Sequence, residues 1–190
     1  GICLASANGA RVTNNLLYNN QASDSGGKLA RGGGVFAKGL EVYLANNTVV
    51  ANTAEHGGGV YLANGALYNN IVARNTASGD GGGVYWLGGN AGHNDVWGNT
   101  SNDYAAAGSP RPGTDIDANP LFVSSGDPAT SYHLQEGSPC IDTGSSTAPG
   151  LPDDDFDLQA RPQGVSWDIG FDEVPRPSFS VTKGLTGKPV

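Results

Sequence analysis

Residues 69–85 read NNIVARNTASGDGGGVY, and three glycines running into a valine and a tyrosine need a physical reason. The motif recurs as GGGVF from Gly32, GGGVY from Gly57 and GGGVY from Gly81. Asparagine pairs recur with it. The segments NNLLYNNQA (14–22), NNTVVANTA (46–54), NNIVARNTA (69–77) and HNDVWGNTS (93–101) align without gaps, at steps of 32, 23 and 24 residues. The longest step carries an insertion, DSGGKLAR (24–31), ahead of its glycines. Self-similarity at a period of about 20–50 residues marks a solenoid or an array.

Each period holds three short β-like runs, such as GGVYLA, GALY and NIVAR, separated by Gly or Asn turns. No 3.6-residue pattern is long enough for a helix, which removes helical and leucine-rich repeats. Three strands in a turn of about 23 residues predict an all-β chain, a right-handed parallel β-helix of about four coils. Alternation assigns its faces. Ile2, Leu4, Val35, Ala37, Val60, Leu62, Val84 and Trp86 point inward from one strand, Leu17, Val49, Val72 and Val96 from a second, and Val12, Leu44 and Leu67 from a third. Two asparagine series, Asn15–Asn47–Asn70–Asn94 and Asn20–Asn52–Asn75–Asn99, are expected to stack as hydrogen-bonded ladders at the turns. The amide suits this because it both donates and accepts, and asparagine tolerates left-handed backbone.

Composition narrows the function classes. A net charge of −8 argues against a nucleic-acid partner, since neutralising phosphates needs clustered Lys and Arg. No apolar run approaches the roughly 18 residues of a membrane span. The opening GICLASANGA lacks a basic segment followed by an apolar stretch, so no signal peptide is read there. It aligns instead with the interior of a repeat, which leads us to expect the lower end of a longer column.

The pattern NNxxVxxNTAxxxGGGVYxxN resembles the repeats of secreted right-handed β-helix proteins of the pectin-lyase-like superfamily. It is also similar to the GGG-type repeats of polymorphic outer-membrane proteins. The resemblance covers residues 1 to about 104. Beyond it, DIDANPLFVSSGDPATSYHLQEGSPCIDTGS and LPDDDFDLQARPQGVSWDIGFDEV resemble the terminal region of bacterial secreted β-helix proteins, carried by Pro120, Leu121, Phe122, Tyr132, Gly137, Ser138, Pro139, Ile141, Asp142, Arg161, Pro162, Asp168, Ile169, Gly170 and Glu173. Cys140 and Leu158 depart from that pattern, where small residues are usual. The resemblance implies an extracellular or cell-surface location and a superfamily rich in polysaccharide lyases and glycoside hydrolases.

The expected organisation is therefore β-helix coils over 1–104, an irregular C-terminal cap over 105–174 and a linker or tail over 175–190. A solenoid end exposes apolar side chains and unpaired strand edges, and a cap covers both. Asp142, Arg161 and Asp168 are candidates to tie the cap loops together. Cys3 lies on the first coil and Cys140 beyond the fourth; three steps of about 4.8 Å put them roughly 14 Å apart, past the roughly 7 Å limit for a disulfide. They are expected to be unpaired unless the cap folds back along the helix.

Four patterns bear on chemistry. The GGG runs lack a following Gly-Lys-Ser/Thr and precede strands, so they are not phosphate loops. Phe36, Tyr61 and Tyr85 form an outward aromatic stripe that suits carbohydrate binding, or that simply stabilises adjacent parallel strands. Glu55, His56 and Asp80 sit in the turns before GGG with Arg74 nearby, the weak catalytic candidates; the alternative is solvated turn residues. Lyases of the resembled superfamily pair acidic residues, often with calcium, with an Arg or Lys base. Asp153, Asp155 and Asp157 in PDDDFD offer alternating carboxylates of the kind calcium prefers, although the run is not an EF-hand. Turn hydrogen bonds and ion pairs with Arg161 are the other account of that run.

Two functions of different class follow. The first is a structural or adhesive segment of a large secreted protein, contacting polysaccharide along the aromatic stripe and associating with itself through the exposed first coil. The second is the end of a polysaccharide lyase or glycoside hydrolase whose catalytic coils lie upstream.

Overall fold

The computed structural model describes residues 1–24, 26–106 and 111–176, so most of the expected tail lies outside the described residues. The described residues are all-β apart from one short helix, α1 (Pro128–Ser131). Strands stack in parallel into three main sheets. The first is built from β1 (Ile2–Leu4), β4 (Val35–Ala37), β8 (Val60–Leu62), β12 (Val84–Trp86) and β15 (Tyr104–Ala106). A second holds β2 (Arg11–Thr13), β5 (Val42–Ala45), β9 (Gly65–Tyr68) and β13 (Asn90–Gly92). The third holds β3 (Leu16–Tyr18), β6 (Thr48–Val50), β10 (Ile71–Ala73) and β14 (Asp95–Trp97), and a two-stranded ladder joins β7 (Thr53–Ala54) to β11 (Thr76–Ala77). Every pairing among these strands is parallel, an architecture consistent with a parallel β-solenoid.

Register keeps like above like, as the repeat requires. Val35, Val60 and Val84 align, as do Leu17, Val49, Val72 and Val96, and Val12, Leu44 and Leu67. These side chains form one buried core, with Ile2 and Leu4 packed against it.

Each glycine of the GGG motif has its own reason. The first, at Gly32, Gly57 and Gly81, has φ of 64°, 65° and 68°, the left-handed region that a Cβ disfavours. A Cβ on the second would meet backbone of the next turn: at Gly58 it would lie 2.3 Å from the Thr76 carbonyl oxygen. A Cβ on the third would strike the inward valine and the ladder amide: at Gly59, 2.8 Å from Val72 Cγ1 and 2.8 Å from Asn75 Nδ2. The motif is a close-packed turn, which answers the question its sequence raises.

Both asparagine ladders form. Asn47 donates its backbone N–H and its amide to Asn70 Oδ1, and Asn70 does the same to Asn94 Oδ1. Asn52, Asn75 and Asn99 repeat the arrangement on the second ladder. Each ladder ends on an acid: Asn94 donates to Asp115 and Asn99 to Asp103, both through backbone and side chain. The left-handed residues are the ones before the ladder asparagines. Asn14, Asn46, Asn69 and His93 have φ of 52–56°, as do Asn19, Ala51 and Arg74 at 53–56°, while the ladder members do not.

The end region differs from a simple end cover, because it folds back along the side of the stack. Asn46 donates to the Asp168 and Gly170 carbonyls, and Asn69 pairs with Ser145 through both its amide groups. Asn14 accepts from Arg161, and His93 Nδ1 lies 3.1 Å from the Thr143 carbonyl. The two members of each pair thus divide the work: the second builds the ladder and the first clips the returning chain. This return covers the outer face of the third sheet. Val50, Ile71 and Ala73 there pack with Phe122, Leu134, Cys140 and Ile169 into a second core. Cys3 and Cys140 are free thiols even so, one exposed and the other buried.

Candidate functional site

The aromatic stripe forms, and its geometry limits its use. Phe36 and Tyr61 stack at 5.3 Å and 23°, and Tyr61 and Tyr85 at 5.2 Å and 4°. The register Phe36–Tyr61–Tyr85 on β4, β8 and β12 enforces this, since equivalent positions of parallel strands lie one strand spacing apart. The rings turn their faces to one another, so Tyr61 is only 6 % exposed. The stripe offers solvent ring edges and hydroxyls rather than flat faces. Arg31 lies over the Tyr61 ring at 5.2 Å, and His56 meets Tyr85 edge-on at 5.2 Å.

The turns that carry Glu55, His56 and Asp80 stack beside this stripe. His56 Nε2 is 4.0 Å from Glu55, and its Nδ1 accepts the backbone N–H of Asp80 at 3.3 Å. That hydrogen bond uses the Asp80 main chain, so His56 acts here as a turn acceptor. Arg74 has other partners: its guanidinium packs over Trp97 and Phe122 at 5.5 and 5.9 Å.

In the returning segment, Asp155 commits its carboxylate to three backbone N–H groups, those of Asp157, Gln159 and Glu173. Asp153 is exposed and contributes its carbonyl to the Arg161 N–H. Asp157 turns to His133, at 2.8 Å. The three residues singled out in PDDDFD therefore have separate roles.

Two acidic centres lie in the covered interface. Arg161 and Glu173 form an ion pair at 2.7 Å with both side chains fully buried, and Glu173 also accepts the Gln163 and Asp168 N–H groups. Asp168 accepts from Asp142 and Val174, and burial nonetheless lifts its pKa to about 6. Asp142, Arg161 and Asp168 thus join the loops of this segment, as their sequence pattern suggests. The second centre was not foreseen. Asp95 sits in register with Thr48 and Ile71, accepts from Ala118 N–H and from the Cys140 thiol at 3.2 Å, and is held by burial at about 6. Burial and the neighbouring Asp95 charge push the Cys140 thiol far up, which keeps it protonated and unreactive. The signal for Asp95 was available: an acid stands where the aligned segments carry Thr48 and Ile71.

No helix among the described residues is long and apolar enough to cross a membrane. No protein-family model, curated protein or solved structure matches the chain.

Proposed function

We propose that the chain is a structural and adhesive segment of a secreted or cell-surface protein. It is a right-handed parallel β-helix of about four coils, allied to the pectin-lyase-like proteins that its repeat resembles. One observation supports a non-catalytic role above all. The buried acids Asp95, Asp155, Asp168, Asp172 and Glu173 each accept at least one backbone N–H, a use of carboxylates that holds loops rather than moves protons. Glycan contact, where it occurs, runs along the Tyr61 and Tyr85 hydroxyls and the Arg31 guanidinium, because the ring faces are already stacked. The edges of β1, β2 and β3 carry the unpaired backbone groups through which a second copy would associate.

Electrophoresis through gels loaded with uronate or neutral polysaccharides tests this reading, with absorbance of unsaturated products followed in parallel. The wild type is expected to be retarded without releasing product. Tyr61→Phe with Tyr85→Phe keeps the stack and removes the hydroxyls, so retardation is expected to disappear. Retardation unchanged in that variant refutes the glycan contact, and product release refutes the structural role.

A further inference from the structure

The returning segment brings together three side chains that lie far apart in sequence. His133 Nε2 is 2.8 Å from Asp157 Oδ2 and 3.7 Å from Asp172 Oδ1, and the three atoms lie within 4.8 Å of one another. Tetrahedral donors about 2.0–2.2 Å from a zinc ion sit roughly 3.4 Å apart, so these spacings straddle what an ion needs. We propose that His133, Asp157 and Asp172 form a binding site for a divalent cation of the zinc and cobalt class, which fastens the returning segment at its outer corner.

The surroundings of each donor fit this use. His133 Nδ1 faces the Thr130 carbonyl at 3.2 Å, the partner that fixes the tautomer with its proton on Nδ1 and a lone pair on Nε2. The imidazole packs against the Phe171 ring at 5.2 Å, which sets its plane. Asp172 Oδ2 accepts the Leu134 N–H at 3.0 Å, and Oδ1 lies on the His133 side. The Asp157 N–H bonds Asp155 Oδ1 at 2.9 Å, holding the loop that presents the third donor. Asp172 is buried, while the side chains of His133 and Asp157 are 20 % and 42 % exposed. One flank thus stays open to water, which completes the coordination shell.

Charge and donor type select the ion. Two carboxylates and a neutral imidazole carry −2, which a dication neutralises. A nitrogen donor with two acids suits zinc or cobalt, whereas calcium takes six to eight oxygens and shuns imidazole. In the absence of metal the same groups make an ion pair. Burial works against the imidazolium, but the Asp157 hydrogen bond and the Asp172 charge outweigh it and leave the His133 pKa above its ordinary value. Metal and proton therefore compete for Nε2.

The test uses the whole chain stripped with chelator and titrated with ZnCl2 or CoCl2. Calorimetry is expected to give one saturable equivalent, zinc to raise the thermal unfolding midpoint, and cobalt to give visible absorption of an N/O-ligated ion. CaCl2 at the same concentration is expected to leave the midpoint in place. Outer-shell changes alone weaken such sites by about 10–100-fold, so His133→Gln and Asp157→Asn are expected to weaken binding by at least that much. Glu136→Gln, at an exposed acid of the same segment outside the cluster, is expected to bind as the wild type does. Circular dichroism of the metal-free variants separates lost binding from lost folding. Absence of saturable uptake in the folded wild type, or uptake unchanged in folded His133→Gln, overturns the proposal.

Discussion

Replacing Asn70 by alanine tests the ladder at its centre. Asn70 is 1 % exposed, donates to the carbonyls of Leu44 and Tyr68 and to Asn94 Oδ1, and accepts from both the backbone and the amide of Asn47. Alanine strands the buried Asn47 N–H and removes a donor from the Leu44 carbonyl. Each buried group left unsatisfied costs about 1–3 kcal/mol, so the loss is about 2–6 kcal/mol. That is a large part of the total stability of about 5–15 kcal/mol typical of a domain. At a urea slope of about 2 kcal/mol/M, the unfolding midpoint falls by about 1–3 M. Asn15→Ala is the internal control. Asn15 ends the same ladder, is only half-buried and donates to Thr13 and Asn47 without receiving a ladder bond, so its loss costs about 1 kcal/mol or less. Urea titrations of both variants, followed by tryptophan fluorescence, give the comparison. Equal losses, or a loss under about 1 kcal/mol for Asn70→Ala, would mean that the ladder bonds do not carry this stability.

Gly58→Ala drives a Cβ to 2.3 Å from the Thr76 carbonyl and is expected to destabilise by about 1–3 kcal/mol or more, whereas Gly113→Ala meets no atom within 4 Å and is expected to be near neutral by thermal melting. Glu173→Gln leaves the fully buried Arg161 guanidinium without its counter-charge and is expected to cost about 3–5 kcal/mol; because the pair is buried, adding salt should not reduce the loss, and a salt-sensitive loss would place the pair at the surface. Acidification is expected to stabilise the chain between pH 7 and pH 5. Asp95 and Asp168 hold protons up to about 6 in the folded chain against an ordinary 3.8, so the folded state binds more protons in that window and stability falls as pH rises through it, by about 1 kcal/mol for each between pH 5 and pH 7. His133, raised by Asp157 and Asp172, loses its stabilising charge in the same direction. A melting temperature that climbs steadily from pH 5 to pH 7.5 would contradict this assignment.

The repeat carried the stack and the inward faces because period-two alternation and equal spacing are local signals that lateral packing only reinforces. Val49, Val72 and Val96 were assignable from one coil each. The outer neighbours Val50, Ile71 and Ala73 were not, because their burial depends on a segment some hundred residues later in the chain. The runs TVV and IVA did carry a hint: apolar side chains on both faces mark a parallel strand covered from both sides. The aromatic stripe was assignable as a column, but its stacking angle was not, and that angle decides whether faces or edges meet solvent. The grouping of Asp157 with His133 and Asp172 was beyond reach for the same reason as the second core. Its three residues meet only after the chain has folded back, a contact that no spacing within PDDDFD encodes.

The ladder asparagines are the structural members of the stack. Hydrogen–deuterium exchange of their side-chain amides, followed by NMR, measures that directly. Asn47, Asn52, Asn70 and Asn75 are at most 1 % exposed, and each donates through Nδ2 to a carbonyl and to the next asparagine. Their amides are predicted to exchange many orders of magnitude more slowly than the exposed Asn90 amide, on the timescale of global unfolding. Exchange of those four amides at the rate of Asn90 would contradict the account.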